Sequence, residues 1–294
     1  MEKKFIANNY GKILIPFDGS ETSVNALRQV IKYSKDADCR SASLTVVTVL
    51  PSFGAEVELG LVKDIKGVLR KLANDILLSA KRIAEEEGVQ IEYVLSEGST
   101  HKAIIDAAKS RNCGLIVMAR RSLDELERAF VGSVTARVIG YSPIDVLVMP
   151  SNSDIKWSNI LLAVDGSVYS EIAAKRAISI ARSCGSKLII VSVVDVTDEF
   201  FIHSPAAVDE MIQNAWATVE KIKKMVKPAD INIEAYVKEG DPEDKIVSVA
   251  EELGSDTICL GSHGRTGLRR LVMGSVAEKV IGNAPCPVLV VKAN

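Results

Sequence analysis

The chain has 294 residues, of which 47% are apolar, and its 36 basic and 38 acidic side chains leave a formal net charge of -2. This length is typical of two domains of about 150 residues each, and the apolar fraction is sufficient for a sizeable core. The nearly balanced charge excludes a general electrostatic attraction to nucleic acid, although it leaves room for local basic patches.

The sequence predicts a cytoplasmic protein with no membrane segment. Met1–Phe5 is not followed by an apolar stretch of signal-peptide length. The longest apolar stretch, around 188–196, is far shorter than the roughly 20 residues that span a bilayer. The five cysteines form no CxxC pair and have no metal-ligand spacing, which indicates reduced and mostly packed thiols.

The chain contains the same pattern twice. Each half has an apolar strand that ends in Asp-Gly-Ser, then a Glu-Gly pair, a Gly-Ser-Val triplet and a final apolar strand. These features lie at 13–20, 97–98, 132–134 and 145–149, and again at 160–167, 239–240, 274–276 and 287–291. Such a matched series indicates a duplicated unit, and the polar residues Ser151–Asp154 predict a linker. We therefore expect two domains, 1–150 and 156–294.

Strands and helices alternate within each half. In the second half we predict strands near 159–164, 187–194, 231–237, 256–260 and 287–292, and helices near 168–184, 206–227, 242–254 and 275–283. The strands are nearly continuous apolar runs, which are typical of parallel strands covered on both faces. The alternation predicts a doubly wound α/β sheet, in which ligands bind at the carboxyl ends of the strands where the strand order reverses.

The loop after the fourth strand of the second half has the chemistry of a phosphate site. It contains Gly261 and Gly264, then nine residues (265–273), then Gly274-Ser275 at the start of a predicted helix. Glycines at a strand end let the backbone approach a ligand closely, and the free N–H groups at a helix start attract an anion. The alternative is a purely structural turn between strand and helix.

These residues make both halves resemble the universal stress protein family, and the chain is similar to its tandem members. The family's nucleotide motif is G-x-x-G, nine residues, then G-S/T, and Gly261, Gly264, Gly274 and Ser275 fill all four positions. The resemblance implies in each half a Rossmann-like, five-stranded parallel sheet in the order 3-2-1-4-5. It also implies an adenine nucleotide, ATP or AMP, across strands 1 and 4, and Mg²⁺ can accompany a triphosphate.

The resemblance further implies which residues bind the nucleotide. Asp165 would face the adenosine portion, Val193 would border the adenine, and the glycine loop would hold the ribose and the phosphates. The predicted set is Ala163, Asp165, Val193, Leu260, Gly261, Gly264, Arg265, Gly274, Ser275 and Val276. For Asp165 the alternative role is to cap the helix that begins near Ser167. Arg265, together with Arg269 and Arg270, is equally compatible with an exposed helical face.

The first half departs from the motif at two of its four positions. Ala119 stands where the second half has Gly261, and Ser122 stands where it has Gly264. The first-half positions that match the predicted site are Asp18, Val49, Gly132, Ser133 and Val134. We therefore expect the second half to bind nucleotide well and the first half to bind it weakly or not at all.

The loops between these positions also differ in charge. Residues 265–270 contribute three positive charges, whereas residues 123–128 contribute three negative charges and one positive charge. Arg120 and Arg121 partly offset this acidity. A phosphate would therefore meet an acidic loop in the first half and a basic one in the second.

The final strands of the two halves, 146–149 and 288–291, are apolar and carry no gatekeeping lysine. The order 3-2-1-4-5 places each of them at a sheet edge, where an unprotected apolar strand invites pairing. We expect the two strands to pair with each other as an intrachain pseudo-dimer, which is also what the resemblance implies. A homodimer of whole chains is compatible with the sequence.

The sequence thus favours an adenine-nucleotide-binding stress-response protein that acts as a sensor or regulator toward an unidentified protein partner. The alternative is an enzyme, either a slow ATPase or a phosphoryl- or adenylyl-transferase. The sequence has no G-x-x-x-x-G-K-S/T loop and no evident carboxylate pair beside the phosphate site, so no catalytic residue is assigned. His263 lies in the glycine loop but has no positioned partner in the sequence, and no metal ligand is identifiable.

Overall fold

A computed structural model describes residues 10–35, 42–51, 63–120, 131–151, 153–196, 204–226, 230–264 and 273–293. The first half contains β1 (Lys12–Pro16), α1 (Glu21–Lys35), β2 (Ser43–Pro51), α2 (Lys63–Glu86), β3 (Ile91–Gly98), α3 (Thr100–Ser110), β4 (Leu115–Ala119), α4 (Ser133–Tyr141) and β5 (Asp145–Met149). The second half contains β6 (Asn159–Ala163), α5 (Val168–Cys184), β7 (Lys187–Val194), α6 (Pro205–Lys223), β8 (Asn232–Glu239), α7 (Pro242–Glu252), β9 (Thr257–Gly261), α8 (Ser275–Asn283) and β10 (Val288–Val291).

The strands form one continuous sheet in the order β3-β2-β1-β4-β5-β10-β9-β6-β7-β8. Within each half the strands are parallel and follow the predicted order 3-2-1-4-5. The last strands, β5 and β10, pair antiparallel, with Leu147 opposite Leu289 at the centre. The predicted fold class and the intrachain pseudo-dimer are therefore confirmed.

Two apolar layers cover the two faces of this sheet, because successive strand residues point to opposite sides. One layer contains Ile13 and Ile15 of β1 together with side chains of α1, α2, α5 and α6. The other contains Leu14 of β1 together with side chains of α3, α4, α7 and α8. Leu147 and Leu289 lie in the first layer, whereas their strand neighbours lie in the second. Both layers are therefore continuous across the domain boundary.

A buried polar cluster fastens the two halves beside β5. The carboxylate of Asp145 is 3% exposed and accepts hydrogen bonds from the Tyr10 hydroxyl at 2.8 Å and from the Lys292 backbone N–H at 2.9 Å. The Nε of Arg176, on α5 of the second half, lies 2.8 Å from the same carboxylate. Burial lowers the pKa of the Lys292 ammonium to about 8.

In the described part of the chain, no helix is long and apolar enough to cross a membrane.

Candidate functional site

A cavity of about 340 Å³ opens in the second half at the carboxyl ends of β6 and β9. The chain runs from β6 outward to β7 and β8 and returns to β9 on the other side, so the strand order reverses here. All the predicted second-half residues that the structure describes line this cavity: Ala163, Asp165, Val193, Leu260, Gly261, Gly264, Gly274, Ser275 and Val276. Arg265 lies outside the described residues.

Gly261 is required by helix packing at the bottom of the cavity. A Cβ atom at this position would lie 2.9 Å from both the carbonyl carbon and the Cβ of Tyr169, on the first turn of α5. Backbone atoms cannot move aside as a flexible side chain can. Packing against α5 therefore constrains this position, which is a different reason from the strand-to-helix turn that the sequence offered as the structural alternative.

The other two glycines shape the upper end of the cavity. A Cβ on Gly264 would lie 3.0 Å from Oδ2 of Asp165. The N–H of Gly274 donates to the carbonyl of Ser262 at 3.0 Å, which ties the start of α8 to the end of β9. The two ends of the intervening segment are thus held close together at the cavity mouth.

The N terminus of α8 presents backbone donors to the cavity. Gly274 is its N-cap residue and, because it has no side chain, cannot accept a hydrogen bond from the first N–H groups of the helix as a capping side chain does. The next three residues, Ser275, Val276 and Ala277, all line the cavity. Their N–H groups have no partner within the helix because they belong to its first turn. This end of the cavity therefore has the donors and the positive helix dipole that suit an anion.

Asp165 combines a structural role with a position on the cavity wall. Its Oδ1 accepts the Ser167 backbone N–H at 3.0 Å. Ser167 itself is the N-cap of α5, since its Oγ accepts the Ser170 N–H at 3.1 Å. The sequence allowed Asp165 to be the N-cap of this helix. In the structure Ser167 is the N-cap, and Asp165 stabilises the turn that precedes the helix. Its Oδ2 faces Gly264 at the cavity.

The opposite end of the cavity is apolar. Val191 and Val193 project from β7, and Leu260 from β9. Met211 and Ala215, one helical turn apart on α6, and Pro242 and Ile246 of α7 complete the wall. Sequence reasoning missed these four helix residues. Their apolar spacing of four was visible, but it indicates a buried face and does not show what that face covers.

His263 lines the cavity, where its ring contacts Ser262 and Tyr169. Its Nδ1 lies 3.1 Å from Oγ of Ser262, and its ring centroid lies 5.2 Å from that of Tyr169. Among the described residues, no group of three or more His, Cys, Asp and Glu side chains is arranged to hold a metal ion.

The family model of the universal stress proteins matches residues 9–150 and again 156–292. The chain belongs to the universal stress protein family. A universal stress protein of Mycolicibacterium smegmatis is 24% identical over 296 residues, which cover 97% of this chain and 98% of the relative. One from Methanocaldococcus jannaschii is 39% identical over 147 residues, which cover 48% of this chain and 85% of the relative.

The solved structure of a universal stress protein from Archaeoglobus fulgidus has the same tandem fold. It aligns with a TM-score of 0.73 over 98% of this chain and 99% of its own, at 22% sequence identity. Such a likeness shows the fold, and the two family matches show that this universal stress protein carries the unit twice.

The first half of this universal stress protein has an equivalent cavity of about 310 Å³. The predicted residues of this half, Asp18, Val49, Gly132, Ser133 and Val134, all line it. Ala119 also lines it, at the position of Gly261, whereas Ser122 lies outside the described residues. A Cβ on Gly132 would meet nothing within 4 Å. The two cavities therefore occupy equivalent places in the two halves. They differ in their lining because Ala119 stands in the first where Gly261 stands in the second.

Arg120 has a role that the sequence did not reveal. Its Nη1 donates to the carbonyls of Ile281 at 2.8 Å and Ala284 at 2.9 Å, at the end of α8 in the other half. The sequence suggested only that its charge offsets the acidic loop of the first half. Arg120 therefore also joins the two halves of this universal stress protein.

Proposed function

We propose that the second-half cavity binds an adenine nucleotide, ATP or AMP, and that the chain acts as a cytoplasmic stress-response sensor or regulator. One observation carries this proposal: every described residue of the predicted nucleotide motif lines a single cavity at the strand-order switch point. Membership of the universal stress protein family supports it. The site residues were assigned by resemblance, and their convergence on one cavity is what such a site requires.

The two ends of the cavity suit the two ends of a nucleotide. The apolar wall formed by Val191, Val193 and Ile246 is suited to a flat purine ring. The backbone donors at the start of α8 are suited to the phosphates, and Asp165 lies between the two ends as an acceptor for ribose hydroxyls. Mg²⁺ would accompany a bound triphosphate and be coordinated by its oxygens.

The regulatory part of the proposal depends on the segment between Gly264 and Gly274. Phosphates bound beside both glycines would contact this segment, whose sequence carries three arginines at 265, 269 and 270. Its conformation would then depend on whether a nucleotide is bound. A partner protein that binds one of these two conformations more tightly would respond to the nucleotide state. A ligand shifts a conformational equilibrium by the difference between its affinities for the two states.

The experiment is an isothermal titration of the full chain with ATP, ADP and AMP, with Ser275→Asp as the test variant. Ser275 is exposed at the first position of α8, where a carboxylate favours the helix but repels phosphate. We expect Ser275→Asp to weaken ATP binding at least about tenfold, or 1.4 kcal/mol. Ser133→Asp, at the same position of α4, is the matched control and should leave ATP binding unchanged.

The absence of binding by all three nucleotides in the unaltered chain would overturn the proposal. If Ser275→Asp and Ser133→Asp change ATP binding equally, the start of α8 is not the specific site for the phosphates. Phosphate release measured in the same samples addresses the alternative function. Metal-dependent turnover abolished by Ser275→Asp would favour an enzyme.

A further inference from the structure

Helix α8, whose start lines the second-half cavity, is held at both ends. At its start, the Gly274 N–H donates to the Ser262 carbonyl and so fixes the helix to the end of β9 in its own half. At its end, Nη1 of Arg120 donates to the carbonyls of Ile281 and Ala284 at 2.8 and 2.9 Å. Carbonyls at a helix end have no partners within the helix, so a cation from outside completes the last turn. The second fixed point of α8 therefore belongs to the first half.

Arg120 is itself held in place by the sheet. It directly follows β4, and its backbone N–H donates at 2.7 Å to the carbonyl of Met149, the last residue of β5. Arg120 also belongs to the altered motif of the first half, where it stands at the position that Ser262 has in the second half. A departure from the motif in one half thus supplies a contact to the helix that lines the cavity of the other half.

The first half has the reciprocal contact. Helix α4 begins at the first-half cavity, and Nζ of Lys292, from the second half, donates to the carbonyl of Ile139 near the end of this helix. Ile139 and Ile281 are equivalent in the repeat, whereas Arg120 and Lys292 are not, because Lys292 corresponds to Pro150. In both helices the same carbonyl is therefore bound from the opposite half, by cations that the duplication does not relate to each other.

We propose that Arg120 is a positioning residue for the second-half site, which fixes the donors of α8 although Arg120 does not line that cavity. The nine residues of α8 form a rod of about 13 Å, so a displacement at its end is transmitted to its start. Loss of both hydrogen bonds frees the last turn and lets the N–H groups of Ser275 and Val276 shift relative to the cavity that these residues line. This inference rests on the function proposed above, in which those N–H groups bind phosphate. The altered motif of the first half then supports the site of the second half.

The test measures ATP and adenosine binding to the full chain by isothermal titration, at a temperature where every variant is folded. We expect Arg120→Ala to weaken ATP binding at least about threefold. Adenosine binding should stay unchanged, because adenosine has no phosphate to contact the start of α8. Arg120→Lys keeps a cation and should recover part of the ATP affinity. Lys292→Met is the matched control, since it removes the other cation that crosses the boundary but contacts α4, and it should leave ATP binding unchanged.

A second measurement needs no ligand. In amide NMR spectra of the full chain without nucleotide, Arg120→Ala should shift the signals of Ser275 and Val276, whereas Lys292→Met should not. The inference is overturned if these signals do not move, if Arg120→Ala weakens ATP and adenosine binding equally, or if Lys292→Met weakens ATP binding as much. Failure of the unaltered chain to bind ATP would overturn the proposed function instead, and the amide signals would still show whether Arg120 positions α8.

Discussion

At the scale of single residues, Gly261 carries the clearest constraint in the second-half site. Its hydrogen atom occupies the place where a methyl group would press on the Tyr169 backbone. We expect Gly261→Ala to lower the free energy of unfolding by about 1–3 kcal/mol through overpacking, measured by urea denaturation without nucleotide. If the cavity binds ATP as proposed, displacement of the first turn of α5 would also weaken that binding.

Gly274→Ala is the matched control for Gly261→Ala. A Cβ on Gly274 would lie 3.4 Å from the Cα of His263 and 3.5 Å from the Ser262 carbonyl, close to ordinary contact. It should therefore cost less stability than Gly261→Ala. If Gly261→Ala unfolds at the same urea concentration as the native chain and only its ATP affinity falls, the glycine serves the ligand rather than the packing.

Single residues also differ in how far the sequence predicts their surroundings. The glycine spacing predicted residues that come together, because Gly261, Gly264, Gly274 and Ser275 lie close in sequence, and all four line the cavity. The motif indicated a ligand beside Gly261, and it could not indicate Tyr169, the neighbour that excludes a side chain there, because Tyr169 is far away in sequence. Likewise Asp165 and Ser167 are both common N-cap residues, and only the hydrogen bonds show that Ser167 is the cap.

At the scale of elements, the predicted and observed boundaries differ mainly at helix ends. The helix predicted to reach 254 ends at Glu252 as α7, and Gly254 follows with a left-handed φ of 59°. Glycine is the residue that commonly ends a helix in this way, so this signal was present in the sequence. The helix predicted to reach 227 ends at Lys223 as α6, followed by a tighter turn in which the Met225 N–H donates to the Ile222 carbonyl.

Arg120 links an element of one half to an element of the other. It completes the C-terminal end of α8, where carbonyls lack partners within the helix and the dipole is negative. We expect Arg120→Ala to lower the free energy of unfolding by about 1.5–3 kcal/mol, the range for hydrogen bonds that involve a charged group. Denaturation followed by circular dichroism measures it, and Arg120→Lys should recover only part of the loss.

The control for Arg120 is an arginine whose ion pairs, among the described residues, are exposed. Arg28 lies 3.7 Å from Glu86 and 3.8 Å from Glu87, with about half of its side chain exposed. Arg28→Ala should cost less than about 1 kcal/mol, since surface pairs are weak. Equal losses for the two variants would mean that the contact between Arg120 and α8 adds nothing beyond a surface charge.

At the scale of the whole molecule, the two halves are related by duplication but are not fastened symmetrically. Asp145, which is buried, and Arg176, which is partly exposed, form an ion pair across one side of the boundary. The repeat places Pro287 and Gln29 at the corresponding positions of the other half, so the second side lacks this pair. The sequence predicted the pairing of β5 with β10 from their apolar character. It could not predict the cluster, because its four members are scattered between residues 10 and 292.

Lys292 makes this cluster sensitive to pH. Burial lowers the pKa of its ammonium from an ordinary 10.5 to about 8, although the nearby Asp145 carboxylate opposes the shift. Between these two pH values the unfolded chain holds a proton at this site that the folded chain has released. The unfolded state therefore binds more protons there, and the contribution of Lys292 to stability rises with pH across this window. As pH falls from 10.5 to 8, that contribution is lost.

Lys292→Met isolates this effect, because methionine fills similar space and does not titrate. We expect the free energy of unfolding of the native chain, relative to the variant, to be constant below about pH 8 and to rise toward pH 10.5. The comparison cancels Cys113 and Cys286, whose thiol pKa values burial raises to about 11 and about 12 and whose effect on stability has the opposite sign. Parallel pH profiles for the two proteins would show that the Lys292 ammonium is not buried at the boundary in solution. A relative gain confined to this window would show that the junction of the two halves is strongest when that lysine is neutral.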